Sequence, residues 1–160
     1  MTDQHIEVAH TEAEKDLGVI MDSNLSFDQH IGEMVNKANR MLGLIKRNFK
    51  YINENTFLNL YKSLVRPLIE YASPVWNTKK IYLIKQLEGV QRRGTKLIPT
   101  ISNLSYPDRL RQLNLATLEF RRLRTDLIQV YKIFSGHNKI DPERFFMLAK
   151  TEGLEAIDTR

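Results

Sequence analysis

The sequence predicts a mainly α protein, a helical bundle of about four to five helices with a short N-terminal β-hairpin. Three observations predict it. Apolar residues recur at three- and four-residue spacing through most of residues 27–135. Side chains with helix-capping chemistry (Ser26, Asn53, Thr78, Ser105, Thr117) stand in front of those stretches. Short Val- and Ile-rich runs of strand length occur at the front of the chain. The chain has 160 residues, 42% of them hydrophobic, which is enough to bury a core.

Residues 5–9 (HIEVA) and 16–21 (DLGVIM) are the candidate strands, with the polar stretch HTEAEK between them as the turn. Gly18, between Leu17 and Val19, implies a bulge or a close backbone approach. Ser26 and Gln29 have capping-box spacing before a helix near 27–50. Its stripe runs through Phe27, Ile31, Met34, Val35, Ala38, Met41, Leu42, Ile45 and Phe49. Asn53 or Asn55 opens the next helix, with Phe57, Leu60, Tyr61, Leu64, Val65, Leu68, Ile69, Ala72 and Trp76 facing inward. Pro67 predicts a kink or break there, because its ring collides with the carbonyl of Ser63. Pro74 argues against one continuous helix to Trp76. Thr78 caps a third helix over 79–98, ended by Pro99, with Ile81, Ile84, Leu87, Val90 and Leu97 inward. Ser105 and Asp108 have capping spacing before a short helix holding Leu110 and Leu113. Thr117 caps a long helix over 118–135, with Phe120, Leu123, Leu127, Val130, Tyr131 and Phe134 as its core stripe and Gly136 as its C-terminal cap. Asp141-Pro142 starts a further short helical turn through 149, and the last ten residues read as a frayed tail. The domain reading is a hairpin over 1–22, a helical domain over 23–136, and a short helix with its tail over 137–160.

Composition excludes several chemistries. With no cysteine there is no disulfide, no thiolate metal site and no cysteine nucleophile, as suits a reducing, intracellular setting. No run of about 18 apolar residues is present, so no membrane span is expected. The polar, acidic front of the chain does not read as a signal or transit peptide. No phosphate-loop, dinucleotide, HExxH or nucleophile-elbow pattern occurs. His5, His10, His30 and His137 read as surface or interfacial residues. Asp16 and Asp22 read as solvated turn residues. The chain is therefore expected to be a non-enzyme with no metal site and no catalytic residue.

The charge is uneven. Residues 1–36 carry one basic and eight acidic side chains, whereas residues 37–124 carry 18 basic and five acidic ones. A segment that cationic attracts polyanions through phosphate contacts and counterion release, or it solvates the outer faces of helices.

Several blocks in order carry a family likeness. They are Asp16-Leu17-Gly18-Val19 with Leu25-Ser26-Phe27-Asp28-Gln29-His30-Ile31, then the stretch from Leu60-Tyr61-Lys62-Ser63 through Arg66-Pro67-Leu68-Ile69-Glu70-Tyr71 to Pro74-Val75-Trp76, then Leu87-Glu88-Gly89-Val90-Gln91-Arg92-Arg93-Gly94-Thr95-Lys96-Leu97-Ile98. Leu104-Ser105-Tyr106, Leu110 to Leu115 and Arg121-Arg122-Leu123-Arg124-Thr125-Asp126-Leu127 continue them. Together they resemble the region after the catalytic palm in reverse transcriptases of non-LTR retrotransposons of the jockey-like kind, from about Lys15 to about Gly136. The chain departs from that pattern at Arg92-Arg93-Gly94, where the family often carries small residues.

The resemblance implies a catalytically incomplete fragment of an RNA-directed DNA polymerase. The palm aspartates that would hold magnesium in a complete polymerase are expected on a missing palm, so this chain is expected to carry no cofactor. Leu17, Gly18 and Val19 are similar to the primer-grip region, and the helices to the thumb, which clasps RNA or RNA–DNA duplex by its backbone. The cations expected to touch nucleic acid are Lys46, Arg47, Lys50, Lys85, Arg92, Arg93, Lys96, Arg121, Arg122 and Arg124. For the arginines at 121, 122 and 124, near a helix N-terminus where cations are disfavoured, the partner is either Glu119 or a phosphate. Tyr61, Tyr71 and Trp76 read as core residues, with base stacking as the other role. Two rival readings stand beside this one, a helical protein-interaction module and a non-functional transposon remnant.

Overall fold

The computed structural model describes residues 11–147, and the mainly α fold with a leading hairpin is what it contains. The chain divides into two compact units, Met1–Asp126 and Leu127–Arg160. The hairpin and the helical core thus belong to one unit, and the division falls ten residues before the 136/137 boundary read from sequence.

Strands β1 (Ala13–Asp16) and β2 (Val19–Asp22) pair antiparallel, with Asp16 opposite Val19. The hairpin turns on Leu17-Gly18, not on residues 10–15, whose last three lie in β1. Positive φ at both positions, 45° at Leu17 and 88° at Gly18, gives the two-residue turn whose twist matches a hairpin. The candidate strand at 5–9 lies outside the described residues. Val19 and Ile20 are buried while all of β1 is exposed, so the apolar anchor of the hairpin is β2.

Helix α1 (Asp28–Asn48) follows. Its entry is organised by Asp22 rather than by a Ser26–Gln29 box. The Asp22 carboxylate accepts from the backbone N–H groups of Asn24, Ser26 and Phe27 and from the Ser26 hydroxyl. Those donors hold its pKa down at about 2, and they fix Phe27 in the left-handed region at φ 57°. Ile31, Met34, Val35, Ala38, Leu42 and Ile45 are buried, on the predicted stripe.

Asn53 caps helix α2 (Glu54–Leu60), accepting from the Thr56 N–H at 2.8 Å. A π-helical turn, Tyr61–Val65, then leads into α3 (Arg66–Glu70). The Arg66 N–H donates five residues back, to the Tyr61 carbonyl. Pro67 therefore does not break the helix. The wider turn moves the preceding carbonyls away from its ring and keeps Tyr61, Val65 and Ile69 on one buried face. Ala72, at φ 52°, ends the run before the short α4 (Ser73–Trp76).

Helix α5 (Ile81–Thr95) is shorter than 79–98. Leu83, Leu87 and Val90 point inward, while Ile81 is exposed. Gly94 sits where a Cβ would lie 3.2 Å from a Leu42 methyl and 3.3 Å from the Phe57 ring, so its missing side chain lets those two pack. Ser105 caps α6 (Tyr106–Gln112). Thr117 accepts from the Phe120 N–H at the start of α7 (Leu118–Phe134).

The core of the first unit is one cluster: the α1 stripe, Ile52, Phe57, Tyr61, Val65, Ile69, Trp76, Leu83, Leu87, Val90, Ile98, Ile101, Leu113 and Leu118. Each such side chain contributes about 1.5–3 kcal/mol when fully buried. The stripe predicted on α7 is not core. Phe120 and Leu123 are exposed in the first unit, as are Leu127, Tyr131 and Phe134 in the second, and the buried side chains of α7 are Leu118 and Arg122. In the second unit Phe134 packs on Phe146, with ring centroids 5.1 Å apart. Gly136 has the positive φ of a C-terminal cap, 69°. Asp141 caps a single 3-10 turn, Pro142–Arg144, and residues 145–147 are not helical; the remainder of the turn expected through 149 and the expected frayed tail lie outside the described residues.

Candidate nucleic-acid interface

Helices α1 and α5 pack side by side and run the same way. Near their starts the Asp28 carboxylate accepts from Lys80 and from the Tyr82 hydroxyl. Further along, Arg93 Nε donates to Asn39 Oδ1 at 3.0 Å, and Gly94 meets Leu42. Both C-termini therefore lie toward one end. The negative poles of two helix dipoles there favour the cations that end each helix, Lys46 and Arg47 on α1 and Arg92 and Arg93 on α5.

A shallow furrow runs between the two helices. One stretch of about 670 Å3 is lined by Gly32, Val35, Asn36, Tyr82, Lys85, Gln86 and Arg93. A second stretch of about 380 Å3 shares Arg93 and continues along Asn39, Leu42, Gly43, Lys46, Lys96 and Leu97. The α1 side reads Gly32, Asn36, Asn39, Gly43, Lys46, one helical face by its three- and four-residue steps. Neither lining contains a carboxylate. Among the described residues, no ion pair engages Lys46, Lys85, Arg93 or Lys96.

Those four are the predicted contacts that the fold brings together. The rest go elsewhere. Arg47 and Lys50 are exposed but do not line the furrow. Arg92 lies over the Tyr106 ring, 4.7 Å from its centroid. Arg124 is exposed on α7. Arg121 forms two hydrogen bonds with the Glu70 carboxylate, so its partner in the fold is Glu70 and not Glu119. Arg122 is a correction: its side chain is buried, with Nε donating to Asn77 Oδ1 at 3.2 Å. Desolvation pushes its pKa down, and its Nη1 has no partner among the described residues. It offers nothing to a ligand.

Leu17 and Gly18 form the hairpin turn, and the Tyr71 hydroxyl donates to the Leu17 carbonyl at 2.9 Å. Val19 is buried. A pocket of about 280 Å3 lies beside the turn, lined by Gly18, His30, Glu33, Met34, Lys37, Pro67, Leu68 and Tyr71. His30 is a core residue rather than a surface one. Its Nδ1 accepts from the Ile20 N–H at 3.3 Å, and its ring meets Trp76 edge-on. Burial holds its pKa below the ordinary value. Tyr61 and Trp76 are fully buried, whereas Tyr71 is half exposed.

Sequence reasoning missed Asn36, Asn39, Tyr82 and Gln86. The available signal was Gly32 and Gly43, eleven residues apart on one helix face with amides between them. A glycine inside a helix costs about 1 kcal/mol against alanine. A Cβ at either position would meet nothing within 4 Å, so packing among the described residues does not explain them.

No family model matches the chain. No solved structure matches it. An uncharacterized protein of Caenorhabditis elegans is 32% identical over 124 residues, 76% of this chain. The chain spans 63% of that protein's length. Among the described residues, no helix is long and apolar enough to cross a membrane.

Proposed function

We propose that this chain is a thumb-like segment of an RNA-directed DNA polymerase of the non-LTR retrotransposon kind, and that it holds template–primer nucleic acid by the sugar–phosphate backbone. The observation that supports this best is the carboxylate-free furrow between α1 and α5, where Lys46, Lys85, Arg93 and Lys96 converge. The segment does no chemistry of its own in this reading. The furrow cations displace counterions condensed on the nucleic acid, and affinity comes from their release. Backbone contacts of this sort position a nucleic acid without reading its sequence.

Four phosphate contacts give a log–log salt slope of about −3.6 on duplex, from about −0.9 per contact. Fluorescence anisotropy with a labelled RNA–DNA hybrid, titrated at several potassium chloride concentrations, measures it. The triple variant Lys46→Gln, Arg93→Gln, Lys96→Gln is expected to flatten the slope to about −1. Absence of binding at low salt would overturn the proposal.

A further inference from the structure

We infer that the ligand of the α1–α5 furrow is a single nucleic-acid strand, laid along it with its bases turned into the furrow. The inference rests on the nucleic-acid reading above and narrows its substrate class. The furrow is a surface groove along two helices in side-chain contact, and an extended strand can lie in it lengthwise. A stiff duplex would touch only its rims. From Tyr82 to Lys96 the furrow runs about 21 Å at 1.5 Å per residue, which suits a short single-strand site of about four nucleotides.

The lining separates into two chemistries. Lys85, Arg93 and Lys96 line the α5 side, with Lys46 across from them, and these are phosphate ligands. Asn36 and Gln86 lie between them, and so does Asn39, whose Oδ1 accepts from Arg93 and whose Nδ2 is left to donate. Amides both donate and accept, which matches base edges better than phosphates, and only an unpaired strand presents its Watson–Crick edges. Tyr82 lines the first stretch with its ring half exposed, a platform on which a base can stack. Gly32 and Gly43 leave the α1 backbone bare along this face, with open space where side chains would stand. Glycine is among the least favourable residues inside a helix. Here two of them leave open space along the furrow where a base can lie.

The test is anisotropy of the full chain with a labelled 12-nucleotide RNA and with a blunt RNA–DNA hybrid of the same sequence, at low salt. The single strand is expected to bind at least tenfold more tightly. Gly43→Leu adds bulk in open space without changing charge, and circular dichroism confirms that the variant folds. It is expected to weaken the single strand at least tenfold and the hybrid less than twofold. Equal or tighter binding of the hybrid, or a Gly43→Leu variant that binds the single strand like the parent, would overturn this inference and leave backbone binding standing. Failure of both nucleic acids to bind would overturn the proposed function with it.

Discussion

The fully buried Gln91 is the hub of a polar chain through the core of the first unit. It accepts from the Tyr61 hydroxyl at 2.7 Å and donates to the Tyr106 hydroxyl at 3.1 Å and the Ala116 carbonyl at 3.0 Å. Tyr106 in turn donates to Glu88, whose other oxygen accepts from the Leu118 N–H at the start of α7. Consider Gln91→Leu. The Tyr61 hydroxyl, fully buried, is left without an acceptor, at a cost of about 1–3 kcal/mol. Reshaping the site adds up to about 1.5 kcal/mol. Tyr106 keeps Glu88, so little is lost there. The expected destabilisation is about 3 kcal/mol, a fall in Tm of about 6–12 °C for a chain of this size. Tyr61→Phe strands the Gln91 carbonyl oxygen instead and costs about 1–2 kcal/mol. The double variant Tyr61→Phe, Gln91→Leu removes both halves of that bond and leaves the change in shape and the lost donor to the Ala116 carbonyl, which the single Gln91→Leu variant shares. Its loss should fall short of the summed single losses by about 3 kcal/mol. Urea unfolding followed by circular dichroism at 222 nm measures all three. Losses that add to within about 0.5 kcal/mol would refute the hub, because they would mean that the two side chains do not share a bond.

Arg122→Met should leave stability unchanged or raise it by about 1 kcal/mol, since a buried cation with an unpartnered Nη1 is exchanged for an apolar side chain, and hybrid binding should not change. The same unfolding and anisotropy measurements check both. His30 gives a pH dependence: its folded pKa is depressed by burial, and protonation would turn Nδ1, the acceptor for the Ile20 N–H, into a donor. Its contribution is complete above the unfolded value near 6.5 and is lost as pH falls from there through the folded value, so Tm between pH 8 and 5 should drop in the parent and drop less in His30→Gln. The two kinds of glycine separate by alanine substitution. Gly43→Ala, in open space, should raise stability by about 1 kcal/mol, and Gly94→Ala should lower it or gain nothing, because its Cβ would press on Leu42 and Phe57.

What was legible in the sequence was local. The stripe on α1 and the caps Asn53, Ser105 and Thr117 depend on neighbours within one or two turns, and the structure has them. Pro67 announced an irregularity correctly, but whether a helix breaks or opens into a π turn depends on what its face must bury. Here that face carries Tyr61, Val65 and Ile69 into the core, and the chain stays helical. The hairpin turn was illegible for a different reason. Leu-Gly is not the Asn-Gly or Asp-Gly pair that signals positive φ at two successive positions, whereas HTEAEK has turn-like polarity and yet ends in a strand. On α7, periodicity identified an apolar stripe but could not say whether anything lies against it. The residues that dock are Leu118 and Arg122, four apart on another face.

The cationic segment shows the same division at the level of the site. Counting charge treats every Lys and Arg between residues 37 and 124 as a surface cation open to phosphate. The fold spends several of them on itself. Glu70, four residues past Arg66 and 51 from Arg121, meets both guanidinium groups, and Asp28 meets Lys80 across 52 residues. Arg109 is buried, donating to Thr95 Oγ1 and to the Ser102 and Leu104 carbonyls. The Glu70–Arg121 and Asp28–Lys80 pairings join residues 51 and 52 positions apart, so no short window of sequence contains both partners. The cations left over are those on faces where no carboxylate arrives. The α1–α5 furrow is such a face, because its α1 side holds glycines and amides where an amphipathic surface helix ordinarily carries charge. Its positive potential therefore comes as much from the acids missing there as from the lysines and arginines present.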